Sequence, residues 1–284
     1  MSLSPAVIAA AYEASCLAEL DALKPGNVHA FADGHRMAVV DFTASARVSA
    51  PHLAKAGAAL GARVLGGVEA TMAAVGQNTN LGILLLCAPL ALAAERGVPV
   101  SGILGALDPQ DAVDVFAAIR RANPGGLGQA ARHDVNEAAP SSLREAMREA
   151  APRDRIARAY VTGFEDVLAI GLPALADARA VGLAPPWTTT AVFLAYLAAV
   201  PDSHVARKHG PERAERVRAE GQALLRLDLG TASLAELLAQ DARWKAVGIN
   251  PGTSADFTVA TLFLDALGAA DPGGCPVPAE VPSG

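Results

Sequence analysis

Apolar residues recur at helical spacing along almost the whole chain, and the long Val, Ile and Thr alternations that would predict β-strands are missing. In residues 5–23 the apolar side chains fall on one face. Lys24-Pro25-Gly26 then ends the helix, because Pro disfavours helix in the residue before it and Gly accepts a left-handed cap. Alanine dominates a composition that is 52% apolar and only 4% aromatic. The sequence therefore predicts a compact all-α protein.

No linker is long enough to divide the 284 residues, so one all-helical domain is expected over residues 1–270. Residues 271–284 hold few apolar side chains and are expected to form a disordered tail. Capping boxes are predicted at Ser142 with Glu145 and at Ser233 with Glu236. After a loop over residues 26–42, helices are predicted at about 43–65, 66–76, 81–96, 109–122, 141–150, 153–170, 172–181, 187–200, 211–228, 233–246 and 254–269.

Charge and composition argue against several classes of partner. The formal net charge is -6, and no run of basic residues interleaved with aromatic ones could follow a phosphate backbone, so nucleic acid is not expected. The apolar stretches 83–94 and 191–200 are shorter than the roughly 20 residues of a membrane-spanning helix. Three widely spaced cysteines and an N-terminus without a basic signal region favour the cytoplasm. The oligomeric state stays open, with a homo-oligomer among the alternatives.

Five interruptions between the predicted helices are richer in Gly, Asn, Asp and His than a connector requires. The ends of helices supply ligand-binding groups, because the first turn leaves backbone N–H groups unpaired. Each segment taken alone also fits an ordinary turn or cap. Together they form the candidate site: LKPGNVHAFADGHRM (23–37), GQNTNLG (76–82), NPGGLGQAARHDV (123–135), PDSHVARKHG (201–210) and INPGTSADF (249–257).

The order of these motifs resembles the triphosphoribosyl-dephospho-CoA synthase family over roughly residues 10–268. The PGxSAD segment and the Asn-Thr loop are the most specific parts of the resemblance. In chain order, the matching residues are Lys24, Pro25 and Gly26, then His35, Met37, Asp41 and Phe42, then Asn78 and Thr79, then Asp202 and Arg207, and last Pro251, Gly252, Ser254, Ala255 and Asp256.

The resemblance implies an all-helical enzyme that transfers the triphosphoribosyl unit of ATP to the 2'-hydroxyl of 3'-dephospho-CoA and releases adenine. It also implies Mg²⁺ as the cofactor. Displacement of adenine from the ribose passes through an oxocarbenium-like centre. The reaction therefore needs a carboxylate to accept the hydroxyl proton, a proton donor for the leaving base and cations for the triphosphate.

Three carboxylates, Asp41, Asp202 and Asp256, are the candidate catalytic groups and the candidate Mg²⁺ ligands. Asp256 follows Ser254, the expected N-cap of the last helix, and the helix dipole would stabilise a carboxylate in that first turn. Ordinary helix capping explains an Asp there equally well. His35 is the candidate proton donor. The candidate ATP-binding residues are Lys24, Pro25, Gly26, Asn78, Thr79, Asn80, Arg207, Lys208, Gly252 and Ser254.

The sequence also departs from the family pattern. Asn80 and Leu81 stand where the family usually has His-Lys, Arg36 stands for an acidic residue, and segment 123–135 replaces an R-G-E-A segment. One alternative is therefore a related nucleotide-dependent transferase in the biosynthesis of a one-carbon cofactor. Segments 123–128, 150–160 and 201–210 resemble the version in organisms that use tetrahydromethanopterin-type carriers. The second alternative is a helical protein that binds a nucleotide without turnover.

Overall fold

The computed structural model of the chain describes residues 2–30, 38–123 and 142–270. These residues form fourteen α-helices and no β-strand, which confirms the all-α prediction. A π-helical turn, Val167–Gly171, leads into the ninth helix. In chain order the helices are α1 (Pro5–Asp21), α2 (Val39–Leu53), α3 (Leu60–Val75), α4 (Leu81–Arg96), α5 (Val100–Gly105), α6 (Pro109–Ala122), α7 (Leu143–Ala150), α8 (Arg155–Thr162), α9 (Leu172–Ala180), α10 (Trp187–Ala199), α11 (Ser203–His209), α12 (Pro211–Leu224), α13 (Leu234–Ala246) and α14 (Gly252–Ala270).

Helix α4 lies at the centre of the larger of two hydrophobic cores. Its sequence is apolar on all sides, and every residue from Ile83 to Ala94 is buried. Helices α1, α3 and α14 pack against it. An α-helix with no polar face is stable in water only when neighbouring elements cover it completely. Helix α4 is therefore the element around which the larger core is arranged.

A second, smaller core lies between α10, α11, α12 and α13, and it includes the indole of Trp244. Helices α10 and α14 contribute to both cores. In α10, Tyr196 belongs to the larger core and Leu197 to the smaller one. In α14, Phe257 belongs to the larger core and Ala255 to the smaller one. The two cores are thus continuous through two shared helices.

The predicted bounds of α4 and α6 are confirmed, but the predicted division at residues 65 and 66 is wrong. The chain instead breaks between Leu53 and Leu60. Gly57 adopts a φ of +69° in that break, and its N–H donates to Glu95 Oε1 at 2.8 Å. Helices α5 and α11 were not predicted, because six or seven residues are too few for a clear periodicity.

Two of the three predicted N-terminal helix caps are wrong. The Ser142 cap is confirmed, since its hydroxyl accepts from the Glu145 N–H. The Ser233 hydroxyl instead donates to the Gly230 carbonyl at 3.0 Å, within a 3-10 turn. Helix α14 begins at Gly252, so Ser254 lies inside its first turn instead of capping it. Ser, Thr and Gly within a few residues of one another make such positions ambiguous from sequence.

No single helix in residues 2–30, 38–123 or 142–270 is both long enough and apolar enough to cross a membrane. Only the bent pair Arg155–Thr162 and Val167–Ala180 reaches that length and composition jointly, with an angle of 96° between its members. The predicted tail at 271–284 lies outside the described residues. The assignment of residues 1–270 to one domain stays a prediction.

Candidate functional site

The carboxylate of Asp256 lies against the first turn of α4. Gly82 is the second residue of α4, and a Cβ atom placed on it would overlap Asp256 Oδ2 and stand 2.6 Å from Asp256 Cγ. Asp256 is the fifth residue of α14, one turn later than predicted. The GQNTNLG and INPGTSADF segments, about 170 residues apart in sequence, therefore meet in space.

The surroundings of Asp256 disfavour its negative charge. Burial raises the pKa of this carboxyl well above its ordinary value, and the negative charges of Asp202 and Glu19 raise it further. The positive charge of Arg207 acts in the opposite direction. Part of the residue remains exposed, although its carboxyl group itself is buried. Such a carboxyl keeps its proton to a higher pH than an ordinary aspartic acid does.

Asp202 joins the start of α11 to the start of α14. Its Oδ1 caps α11 by accepting from the His204 and Val205 N–H groups at 2.9 and 3.1 Å. Its Oδ2 accepts from the N–H and the hydroxyl of Ser254 at 2.7 and 2.9 Å. Four donors occupy the four lone-pair positions of the carboxylate. Burial raises the pKa of Asp202, and these hydrogen bonds oppose the rise. This geometry favours a positioning role, and its prediction as a base or metal ligand stays a prediction.

The start of α8 lies beside the start of α11. Asp154 caps α8 through Oδ1, and its Oδ2 accepts from Arg207 Nη1 at 2.8 Å. The Arg155 N–H donates to the Ser203 hydroxyl at 2.9 Å. The predicted phosphate partner Arg207 therefore has a carboxylate partner in this structure. Lys208 is exposed and its ammonium group donates to the Gly248 carbonyl at 3.3 Å.

The Lys24 ammonium group is fully buried at the end of α1. It forms an ion pair with Glu19 Oε1 at 3.1 Å and donates to the carbonyls of Glu19 and Ala22. Burial lowers the pKa of Lys24 and raises that of Glu19, while the ion pair opposes both shifts. Lys24 was predicted to bind ATP, but here it fastens the Lys24-Pro25-Gly26 turn to its own helix.

The first and last polar segments also touch each other. Asn27 Nδ2 donates to Asn250 Oδ1 at 2.8 Å. Gly26 has a φ of +82°, and a Cβ there would stand 3.0 Å from both the Ile249 carbonyl oxygen and Pro251 Cδ. Only glycine combines this backbone conformation with so close an approach. The KPGN turn is thus held directly against the INPG turn that precedes α14.

Asp241 on α13 is a member of this region that sequence reasoning missed. It accepts from the Gly26 N–H at 2.8 Å, and it pairs with His29 Nε2 at 3.3 Å and Lys245 Nζ at 3.0 Å. Burial acts to raise the pKa of Asp241, but these partners lower it below its ordinary value. The only signal in the sequence is the Asp-to-Lys spacing of four within a helix, which is common on helix surfaces.

Asp41 lies in the first turn of α2, although the sequence placed it in a loop. Its Oδ2 accepts from the Ala38 N–H at 3.0 Å and from Gln77 Nε2 at 3.1 Å. Asp41 and Asp256 therefore contact opposite ends of the same segment, at Gln77 and Gly82. Two of the three candidate carboxylates thus contact one segment, and their roles in catalysis stay predictions.

The Asn-Thr-Asn part of the central segment is held by two serines of α2 that the sequence did not single out. Thr79 and Ser45 share a hydrogen bond of 2.5 Å, and Asn80 Nδ2 donates to Ser49 Oγ at 3.1 Å. Asn78 Oδ1 accepts from the Leu81 N–H at 3.1 Å. These polar side chains face protein partners, so the predicted contacts of Asn78, Thr79 and Asn80 with ATP stay predictions.

His35, Arg36 and Met37 lie outside the described residues, as does most of the NPGGLGQAARHDV segment. The predictions made on them are therefore unaffected by the structure. A narrow cleft beside Asp202 has room for about one water molecule. Its walls include Arg155, Tyr196 and Phe257.

The described residues do not offer a ready-made Mg²⁺ site. In residues 2–30, 38–123 and 142–270, no three or more His, Cys, Asp or Glu side chains are grouped so that they could hold a metal ion. Asp202 already accepts four hydrogen bonds. The predicted trio of Asp41, Asp202 and Asp256 therefore does not fit a resident Mg²⁺ ion in this arrangement, and the requirement for Mg²⁺ stays a prediction.

Two of the known proteins that are similar to this chain carry names from one enzyme family. A Stutzerimonas stutzeri (strain A1501) protein named as a probable 2-(5''-triphosphoribosyl)-3'-dephosphocoenzyme-A synthase is 29% identical over 207 residues. The aligned region covers 71% of this chain and 65% of that protein. A crystal structure from Archaeoglobus fulgidus, described as a candidate triphosphoribosyl-dephospho-CoA synthase, shares the fold with a TM-score of 0.61 at 24% identity. That match covers 80% of this chain and 98% of the other.

The sequence profile of the CitG family, described as ATP:dephospho-CoA triphosphoribosyl transferase, matches residues 5–273. This range includes all five polar segments and every described helix. The chain therefore belongs to the ATP:dephospho-CoA triphosphoribosyl transferase family.

Proposed function

We propose that this protein transfers the triphosphoribosyl unit of ATP to the 2'-hydroxyl of 3'-dephospho-CoA and releases adenine. Family membership over residues 5–273 supports the reaction. The structural observation that carries the proposal is the position of Asp256. Its buried carboxyl, with a raised pKa, lies where the two most specific motifs of the chain meet. The reaction needs a proton acceptor in such a place.

In this proposal Asp256 is the general base. The 2'-hydroxyl oxygen of the acceptor attacks C1 of the ATP ribose, and the bond from C1 to the adenine nitrogen breaks. The hydroxyl proton passes to the Asp256 carboxylate, and adenine leaves with a proton from a separate donor, for which His35 is the candidate.

Other members of the site act by holding Asp256 and its neighbours in place. Asp202 fixes the first turn of α14 through Ser254. Lys24 and Gly26 fix the turn that contacts Asn250 and Pro251. Precise placement is itself a large part of catalysis, because a reacting group displaced by about 1 Å loses much of its effect.

Mg²⁺ is proposed to enter with the ATP substrate. Proteins commonly hold Mg²⁺ through substrate phosphates and only one or two carboxylates. Asp41 is the candidate for that contact, since Asp202 is saturated by its hydrogen bonds and Asp256 is the proposed base. The proposed substrates are small molecules, and the proposed location is the cytoplasm, in keeping with the unpaired, buried Cys16 and Cys87.

The test is adenine release from the purified full chain with ATP, Mg²⁺ and dephospho-CoA, followed by mass spectrometry of the acceptor. Asp256→Asn is expected to lower kcat by about 10²–10⁴-fold. Asp265→Asn is the matched control, since it makes the same change on the same helix at the ion pair with Arg179. Loss of activity in both variants would remove Asp256 from its proposed role. ATP that raises Tm without any adenine release would indicate a binding protein without turnover.

One observation favours a second candidate function, transfer to a different acceptor in one-carbon cofactor biosynthesis. Leu81 stands where the family usually carries a cation, and it is only 6% exposed, within the larger core. Asn80, in the neighbouring position, donates to Ser49. The family cation is therefore replaced by a core residue. Adenine release with pterin-type intermediates, and none with dephospho-CoA, would establish this second function.

A further inference from the structure

The backbone conformation at position 82 is helical and does not require a glycine. Gly82 lies in the first turn of a regular helix, where other residues are comfortable and alanine is more favourable. The space that a side chain would need is occupied by another residue. A Cβ atom on Gly82 would overlap Asp256 Oδ2, would stand 2.6 Å from Asp256 Cγ and would stand 3.0 Å from Ile156 Cδ1.

The end of α4 that Asp256 approaches is its N-terminus. The first hydrogen bond of the helix runs from the Leu84 N–H to the Asn80 carbonyl at 2.9 Å. The Gly82 N–H therefore precedes the helical ladder, at the end that carries partial positive charge. That end attracts a carboxylate, whereas the burial of Asp256 and its acidic neighbours act against its charge. The approach is as close as it is because no side chain intervenes.

We infer that Gly82 is a positioning residue for Asp256: the missing side chain is the space that the carboxylate enters, and this fixes its direction relative to the substrate. The catalytic consequence rests on the proposed transfer reaction. The contact itself rests only on the geometry of α4 and α14. Asp256 cannot keep its place when Gly82 carries a methyl group, because the overlapping atoms belong to a short side chain whose backbone is fixed within α14.

A thermal double-mutant cycle tests the contact without any assay of activity. Gly82→Ala is expected to lower Tm by about 5 °C in the otherwise unchanged protein. In an Asp256→Ala background the same change is expected to leave Tm unchanged or to raise it, since alanine is the better helix former. Gly102→Ala is the control, because Gly102 is helical with no heavy atom near the added methyl group.

The kinetic arm then tests the positioning role. Gly82→Ala is expected to lower kcat for adenine release by about 100-fold and to change KM for ATP by no more than about twofold. In an Asp256→Asn background it is expected to lower kcat no further. An equal loss of Tm with and without the Asp256 carboxylate would overturn the inference, as would an unchanged kcat. If the unmodified protein releases no adenine, the proposed function fails, and the thermal cycle still decides whether the contact exists.

Discussion

Asp202 Oδ2 accepts two hydrogen bonds from Ser254, one from its backbone N–H at 2.7 Å and one from its hydroxyl at 2.9 Å. The other oxygen of the same carboxylate caps α11. One buried side chain thus sets the start of α14 relative to the start of α11. Asp256 lies two residues after Ser254, so its position depends on the hydrogen bonds between Asp202 and Ser254.

Asp202→Asn is expected to destabilise the protein by about 1–3 kcal/mol. The amide group would turn a donor toward the Ser254 N–H or toward the capped N–H groups of α11, and one of these buried donors would lose its acceptor. Ser254→Ala removes only the hydroxyl bond and is expected to cost about 1 kcal/mol. Urea unfolding measures both values. A loss of activity in Asp202→Asn with unchanged stability would instead assign Asp202 a direct chemical role.

Lys24→Met is expected to destabilise the protein by about 3–5 kcal/mol, because it leaves the Glu19 carboxylate buried without its partner. The double variant Lys24→Met with Glu19→Gln is expected to recover most of that loss. Denaturant unfolding of the two variants gives the comparison. If Lys24 contacted the triphosphate, Lys24→Met would raise KM for ATP at nearly unchanged stability, and that result would contradict the structural role.

Asp256→Asn is expected to stabilise the protein at about pH 8 and to have no effect on stability near pH 4. The folded pKa of Asp256 is raised, mainly by burial, so the folded state holds its proton to higher pH than the unfolded state does. Folding then takes up a proton, and stability falls as the pH rises from about 4 through the folded pKa. Asparagine cannot ionise, so the Asp256→Asn variant does not lose this stability as the pH rises.

Thermal unfolding of Asp256→Asn at several pH values measures the effect, with Asp265→Asn as the control. The difference from the unmodified protein should grow with pH and then level off above the folded pKa. A difference that shrinks as the pH rises would mean that Asp256 has a lowered pKa, contrary to its surroundings in α14.

Gly26→Ala is expected to be more destabilising than Gly163→Ala. Both glycines have a positive φ, +82° and +67°, so alanine is strained by a similar amount at each. Only Gly26 is crowded, by the Ile249 carbonyl, Pro251 and Trp244, whereas a methyl group on Gly163 would meet no heavy atom within 4 Å. We expect about 1 kcal/mol for Gly163→Ala and at least about twice that for Gly26→Ala. Equal losses of stability in chemical unfolding would show that the loops can separate.

Much of the fold follows from local sequence, whereas the contacts within the site do not. The bounds of α4 and α6 were predictable because apolar periodicity and terminal residues agree there. The burial of Lys24 was not, since a Lys before Pro-Gly also fits an exposed turn. The bond between Gly26 and Asp241 joins residues 215 positions apart, and no local pattern marks such a pair. The role of Gly82 could not be predicted either, because it depends on the Asp256 carboxylate of another helix.

The sharing of α14 between the two cores has a consequence for biosynthesis. Phe257 and Phe263 belong to the core around α4, and Ala255 belongs to the core around Trp244. During synthesis from the N-terminus, neither core is complete until residues 252–267 have been made. Before α14 is added, apolar faces of the earlier helices stay exposed to solvent, where they can aggregate or bind chaperones. Closure of the two cores is therefore expected to be a single event that follows the addition of α14, rather than a succession of separate steps along the chain.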